Sequence, residues 1–140
     1  TLKRQKPEFK NLKYKKILKY LTKHDSPKAD IRLCANNKIF ETGTSNLLFV
    51  KNDKVFSPIN KFYKGITYKF FRSKIKKIIK KDISINSLKE FDEIILIGSG
   101  KGVASVKTIN QIKWKRKNLK FYKILSRHYK SAISNCKRYT

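Results

Sequence analysis

The run Asp92-Glu93-Ile94-Ile95-Leu96-Ile97-Gly98-Ser99-Gly100-Lys101-Gly102 decides the fold. Four consecutive apolar residues, Ile94 to Ile97, leave no alternate position for a solvated face, so residues 91–97 read as a strand covered on both sides. Three glycines alternating with Ser99 and Lys101 follow at once. Glycines let backbone N–H groups crowd around an anion, the serine hydroxyl adds a donor and the lysine adds charge, which makes residues 98–102 a candidate cradle for a phosphate or carboxylate. The spacing is neither that of a P-loop nor that of a dinucleotide fingerprint, because no helical pattern follows. As an isolated motif the segment also reads as a tight turn between two strands.

Working outward from that strand, Tyr68, Phe71, Ile75, Ile78 and Ile79 fall on one helical face after Gly65, predicting a helix that runs to 79. Further upstream the period is two. Residues 31–33, 39–42, 47–50 and 55–57 read as four strands, with turns at Asn36-Asn37 and Asn52-Asp53 and a stop at Pro58, an antiparallel meander. Tyr14, Ile17, Leu18 and Leu21 form an earlier apolar helix face, ended by His24-Asp25-Ser26-Pro27. Downstream, Ile83 and Ile85 alternate as a brief strand, residues 103–109 read as another, and Tyr122, Leu125, Tyr129, Ala132 and Ile133 line a last amphipathic helix. No internal repeat or low-complexity linker interrupts the 140 residues, so the expectation is one mixed α/β domain.

Composition bounds the function. Apolar residues at 39%, with nine Phe and seven Tyr, are too many for a disordered basic tail. The 36 Lys and Arg against nine Asp and Glu give a formal charge of +27, which points first to nucleic acid. The 30 lysines are nevertheless spread through every segment and only six of the basic residues are Arg, whereas a binding face gathers its cations in a patch. A surface rich in Lys, Ile and Asn also follows from AT-biased codons. Lys-Trp-Lys-Arg-Lys at 113–117 is the best local case for a nucleic-acid-binding module, with Trp114 stacking on a base; otherwise Trp114 packs inward from a solvated connection. Cys34 and Cys136 share no ligand spacing with His24 or His128, so no metal site is expected and the thiols suit a reducing compartment. No apolar run approaches a membrane span or a signal peptide, which predicts a cytoplasmic protein with no membrane contact.

Two further segments can carry chemistry. Gly65-Ile66-Thr67 opens a helix, whose first turn presents N–H groups and a positive dipole end beside the Thr67 hydroxyl. It also reads as a simple cap. Glu41-Thr42-Gly43-Thr44-Ser45-Asn46 sets a carboxylate at one strand end and an amide at the next strand start. Asn46 is expected to satisfy loop backbone, while Glu41, beside Ile39 and Phe40, would seek a cationic partner.

In combination and order, Glu41 to Val50, Ser57-Pro58, Gly65-Ile66-Thr67, Asp92 to Gly100 and the pair Val103 and Val106 resemble the class IV pyridoxal-phosphate aminotransferases. That family includes branched-chain aminotransferases, D-amino-acid aminotransferases and 4-amino-4-deoxychorismate lyases. The resemblance covers nearly the whole chain, as the second half of a two-domain protein. It implies residues 1–140 as a single cofactor-binding C-terminal domain of the D-amino-acid aminotransferase-like fold, fold type IV, mostly antiparallel strands with flanking helices. It also implies a homodimer and an N-terminal domain elsewhere that supplies much of the substrate pocket.

By the same resemblance, residues 1–10 form the leading strand and Lys10 is the Schiff-base lysine, acting on an amino acid substrate through a lysine aldimine. Glu41 pairs with the pyridine nitrogen of pyridoxal 5'-phosphate. Gly65, Ile66, Thr67 and Ser99 hold its phosphate, while Gly100 and Lys101 line the side that receives the substrate carboxylate. Two positions depart from the pattern: Tyr68 stands where the family usually has Arg, and Ser105 where it often has Pro. Either transamination or 4-amino-4-deoxychorismate lysis, which yields 4-aminobenzoate for folate synthesis, is the expected reaction. The Ile-Gly-Ser-Gly loop, in place of the Gly-Thr-Ala common in branched-chain enzymes, points toward the lyase and D-amino-acid branches.

Overall fold

The computed structural model describes residue 19 and residues 32–136. Lys10, the leading strand and all but Lys19 of the helix expected over 14–21 lie outside the described residues. The chain order is β1 (Arg32–Ala35), β2 (Lys38–Thr42), β3 (Asn46–Lys51), β4 (Lys54–Ser57), α1 (Ile66–Lys74), β5 (Ile78–Lys80) and β6 (Ile83–Ser84). A 3-10 turn over Ile85–Glu90 leads into β7 (Glu93–Gly98) and β8 (Gly102–Ser105), and β9 (Thr108–Ile109), β10 (Trp114–Lys115) and α2 (Lys120–Ser134) complete the unit.

β7 is buried along its apolar length, as its composition predicts. It lies inside a five-stranded sheet of order β5-β4-β3-β7-β8, antiparallel to β3 and β8. Because side chains alternate across a strand, β3 and β7 feed two cores. Leu48, Val50, Ile95 and Ile97 pack beneath the helices with Tyr68, Phe71 and Leu125. Leu47, Phe49, Ile94 and Leu96 face the other way, onto Ile39, Ile83, Leu88, Phe91 and Trp114. Each fully buried aliphatic side chain contributes about 1.5–3 kcal/mol, so this strand pair holds the layers together.

Several local expectations are corrected. The four early strands do not form one meander: β1 pairs with β2 and β2 with β6 in a separate three-stranded sheet, whereas β3 and β4 join the large one. The Thr42 to Ser45 turn therefore crosses between sheets. Both tight hairpins stand where the turn residues put them, with Asn36, Asn37, Asn52 and Asp53 at positive φ, the conformation asparagine and aspartate tolerate best. The helix after Gly65 ends at Lys74, and Ile78 and Ile79 belong to β5, parallel to β4. An apolar pair set seven and eight residues beyond Phe71 fits a helix face or a strand alike; here the β-branched pair gains register against Val55 and Phe56. Ile85 opens the 3-10 turn instead of extending β6, and residues 103–109 split into β8 and β9.

Glu93 begins β7 and is 1% exposed. Its carboxylate accepts the backbone N–H of Phe121 at 2.9 Å and of Tyr122 at 3.0 Å, two of the donors that the first turn of α2 cannot satisfy internally. A buried charge thus fastens the last helix to the central strand.

Candidate functional site

The site is organised around the turn between β2 and β3. Thr42 closes it on itself: Ser45 N–H donates to Thr42 Oγ1 at 3.0 Å, and Thr42 N–H donates to the Ser45 carbonyl at 2.9 Å. Asn46 follows, buried and opposite Ile97 in the β3–β7 register, so the turn lies beside the end of β7 where the glycine loop begins. A Cβ added to Gly98 would sit 3.3 Å from Ser45 Oγ and 3.3 Å from the Thr44 carbonyl. The glycine loop abuts the turn closely enough that a side chain at 98 would press on Ser45 and Thr44.

On the other flank, Asn46 Nδ2 donates to the Tyr63 carbonyl at 2.6 Å and its Oδ1 accepts Gly65 N–H at 3.4 Å. The expected role of Asn46, satisfying loop backbone, is what the structure has. Glu41 is 3% exposed, and its Oε2 accepts Tyr63 N–H at 3.4 Å. Glu41 and Asn46 therefore grip the main chain of Tyr63 from both sides and set where α1 starts.

Gly65 is the N-cap of α1, with no side-chain cap and no acid in the first turn. The first intrahelical bond runs from Lys69 N–H to the Gly65 carbonyl, so the N–H groups of Ile66 and Thr67 have no partner within the helix. Thr67 is buried, and Ile66 stands 79% exposed although it is large and apolar. Basic Arg72 and Lys74 in the last turn complement the dipole. Tyr68, at the position where arginine was expected by resemblance, is core: its hydroxyl lies 3.1 Å from Ser57 Oγ and its ring packs edge-on to Phe62.

Ser99 and Gly100 are exposed in the hairpin loop between β7 and β8, and Lys101 is half-buried. A Cβ on Gly100 would meet nothing within 4 Å, so the loop tip is open. Glu41, Gly65 to Thr67 and Ser99 to Lys101 are thus gathered at one end of the large sheet, by way of the Thr44 to Asn46 contacts. Clefts of about 160 and 280 Å³ lie elsewhere, and neither is lined by any of these residues.

The electrostatics single out the two buried acids. Asp82, Glu90, Asp92 and Asp53 sit in surface ion pairs with Lys38, Lys51, Lys117 and Lys120. Glu93 serves α2. Glu41 alone among the described acids lies between the turn and the start of α1. Lys80 is held below the ordinary lysine range, first by burial and then by Lys64 and Arg72, which shows how crowded with cations the β5 edge is.

Trp114 is 3% exposed and donates its indole N–H to the Phe91 carbonyl at 3.0 Å, so it packs inward and is not free to stack on a base. Among the described residues no group of three His, Cys, Asp or Glu could hold a metal, and no helix is long and apolar enough to cross a membrane. Sequence reasoning passed over Glu93 and Tyr63. Glu93 carries a signal, an acid leading an unbroken apolar run; Tyr63 carries none, because its part is played by main-chain atoms.

The sequence model of the family described as amino-transferase class IV matches residues 2–109. In fold, the chain is similar to a branched-chain amino acid aminotransferase from Thermobaculum terrenum in its PLP form, with a TM-score of 0.79 and 14% identity over 92% of this chain and 46% of that one. It is similar to 4-amino-4-deoxychorismate lyase from Pseudomonas aeruginosa, with a TM-score of 0.70 and 18% identity over 83% of this chain and 46% of that one. An aminotransferase from Brucella abortus bound to PLP gives 0.64 and 19%, over 92% and 53%. The chain spans about half the length of each of these structures. Curated proteins include no match to it by sequence. The mixed architecture of antiparallel strands with flanking helices is the one these relatives share.

Proposed function

Because the chain belongs to the class IV aminotransferase family, we propose that it is the cofactor-holding domain of a pyridoxal-phosphate-dependent enzyme acting on an amine-bearing, amino-acid-like substrate. The family works with that cofactor. The observation that carries the reading is the meeting of a buried carboxylate, an uncapped helix start and a glycine-rich hairpin around one turn, Glu41, Gly65 to Thr67 and Gly98 to Lys101.

These residues fit a phosphorylated pyridine. A helix first turn with spare N–H groups and no acid is built for an anion, and Thr67 and Ser99 add hydroxyl donors. A carboxylate has about four lone-pair sites, so Glu41 can hold Tyr63 N–H and still accept from a protonated ring nitrogen. Bound there, pyridoxal phosphate supplies an electron sink that acidifies the hydrogen at the substrate α-carbon.

The chain's own residues do the rest. Lys10 Nζ is the covalent anchor and afterwards the base that takes and returns the α-proton. Glu41 keeps the ring nitrogen protonated. Ile66, Thr67 and Ser99 would hold the phosphate, next to Gly65, whose N–H donates to Asn46. Gly100 and Lys101 receive the substrate carboxylate on the open side of the hairpin.

Transamination and 4-amino-4-deoxychorismate lysis share this proton transfer, and the proposal covers both. A homodimer and a cytoplasmic location belong to the same proposal, and the free thiols of Cys34 and Cys136 are in keeping with a reducing compartment. The test is a titration of the full-length protein with pyridoxal phosphate, followed in the visible. A saturable band that amino donors bleach is expected; no band at saturating cofactor overturns the reading.

A further inference from the structure

The hairpin that carries Ser99 has a rigid backing outside the motifs. Gly102 pairs with Gly98 to close the hairpin and has φ +66°, a left-handed conformation that side chains avoid. A Cβ there would lie 2.8 Å from Cε1 and 3.2 Å from Cζ of Tyr129, so the tyrosine ring rests directly on the glycine backbone. The same ring lies 6.3 Å, centroid to centroid, from Phe71 at an interplanar angle of 31°. Phe71 is fully buried on α1, the helix whose first turn carries Ile66 and Thr67. Tyr129 itself stands one turn after the fully buried Leu125 on α2, and α2 is pinned through Glu93. It lies beyond residues 2–109, the stretch the family model matches.

We infer that Tyr129 is a positioning residue: its ring, wedged between Gly102 and Phe71, holds the Ser99 hairpin in register with the first turn of α1 so that both can grasp one phosphate. The inference rests on the proposed function, which assigns that phosphate to the cofactor. Its physical basis is entropy. A loop with three glycines loses more backbone freedom on ordering than any other kind, and a ligand that needs the loop ordered binds more weakly by whatever ordering it must supply itself. A flat ring against Gly102 supplies that ordering in advance. The contact is made by ring carbons, so the hydroxyl is dispensable.

The experiment uses full-length wild type, Tyr129→Ala and Tyr129→Phe, with Tyr129→Leu retaining apolar volume should the alanine variant unfold. Hydrogen exchange is followed in the cofactor-free proteins, and affinities are measured for pyridoxal phosphate and for pyridoxal, which lacks the phosphate. Tyr129→Ala is expected to speed exchange at residues 99–102 while β3 and β7 stay protected, and to weaken pyridoxal phosphate binding about tenfold or more with pyridoxal unchanged. Tyr129→Leu should show the same pattern at smaller amplitude, and Tyr129→Phe should match wild type. Unchanged exchange at 99–102, or equal loss of both ligands, overturns the inference. Failure of wild type to bind pyridoxal phosphate refutes the functional reading and the inference with it, whereas intact pyridoxal phosphate binding by Tyr129→Ala refutes the inference alone.

Discussion

Replacing Glu93 with alanine should loosen the last helix from the sheet, and the structure gives the size of the effect. The carboxylate is 1% exposed and accepts two backbone N–H groups at 2.9 and 3.0 Å. Hydrogen bonds to a charged group contribute about 1.5–3 kcal/mol each, a gross sum of about 3–6 kcal/mol. Alanine also relieves the desolvation of a buried charge, and the freed N–H groups at a helix end can find water, which leaves a net loss of roughly 2–4 kcal/mol. Glutamine keeps one acceptor but turns an NH2 group toward the second donor, so Glu93→Gln should lose roughly 1–2 kcal/mol. At about 2–4 °C per kcal/mol, the alanine variant should melt roughly 5–15 °C lower. Urea and thermal denaturation measure both, and exchange at Phe121 and Tyr122 localises the change. A Glu93→Ala protein within about 0.5 kcal/mol of wild type would refute the claim that this carboxylate anchors α2.

Other substitutions separate the readings of individual residues. Gly102→Ala, facing both a left-handed φ and the Tyr129 ring at 2.8 Å, should cost about 2–3 kcal/mol by denaturation, while Gly100→Ala, with open space around it, should stay within about 0.5 kcal/mol. Trp114 should emit with the blue-shifted fluorescence of a buried indole, resist iodide quenching and stay unchanged on adding duplex DNA; quenching by DNA would reopen the nucleic-acid reading. Glu41→Gln should leave the melting temperature nearly unchanged yet cut turnover of the holoenzyme at least tenfold, with Glu41→Asp retaining more; equal activity of all three would remove Glu41 from the site. Lys80 has a lowered folded pKa, so its unfavourable contribution is fully present below that value and is relieved as pH rises toward 10.5. Lys80→Gln should therefore slightly stabilise the protein at neutral pH; high salt should remove only the share due to repulsion from Lys64 and Arg72 and leave the share due to burial.

The parts legible in the sequence are those where one physical cause dominates. The apolar run Ile94 to Ile97 could only be a strand buried on both faces, and the Asn36-Asn37 and Asn52-Asp53 turns follow from their tolerance of positive φ. The end of α1 was not legible, because Ile78 and Ile79 satisfy helical spacing and strand propensity equally until Val55 and Phe56 are placed beside them. The split of the early strands into two sheets likewise depends on the partner of β2 being β6, some 40 residues on, which no local pattern encodes. At the candidate site, Glu41, Gly65 to Thr67 and Ser99 stand out only in their combination and order, through the family resemblance; singly, a helix start also reads as a cap and a glycine loop as a tight turn. Their convergence was not visible, because it runs through backbone: Asn46 onto Tyr63 and Gly65, and Gly98 onto Thr44 and Ser45. Tyr129 and Glu93 act on main-chain atoms too, and look from the sequence like ordinary members of a helix and a strand.

The central claim, a cofactor site completed by a lysine upstream of Glu41, is tested most directly by borohydride reduction of the full-length protein with pyridoxal phosphate, followed by peptide mass mapping. The predicted result is a single pyridoxyl adduct on Lys10, abolished in Lys10→Ala while the other lysines stay unmodified. An adduct spread over many surface lysines, or one that persists undiminished in Lys10→Ala, would contradict it.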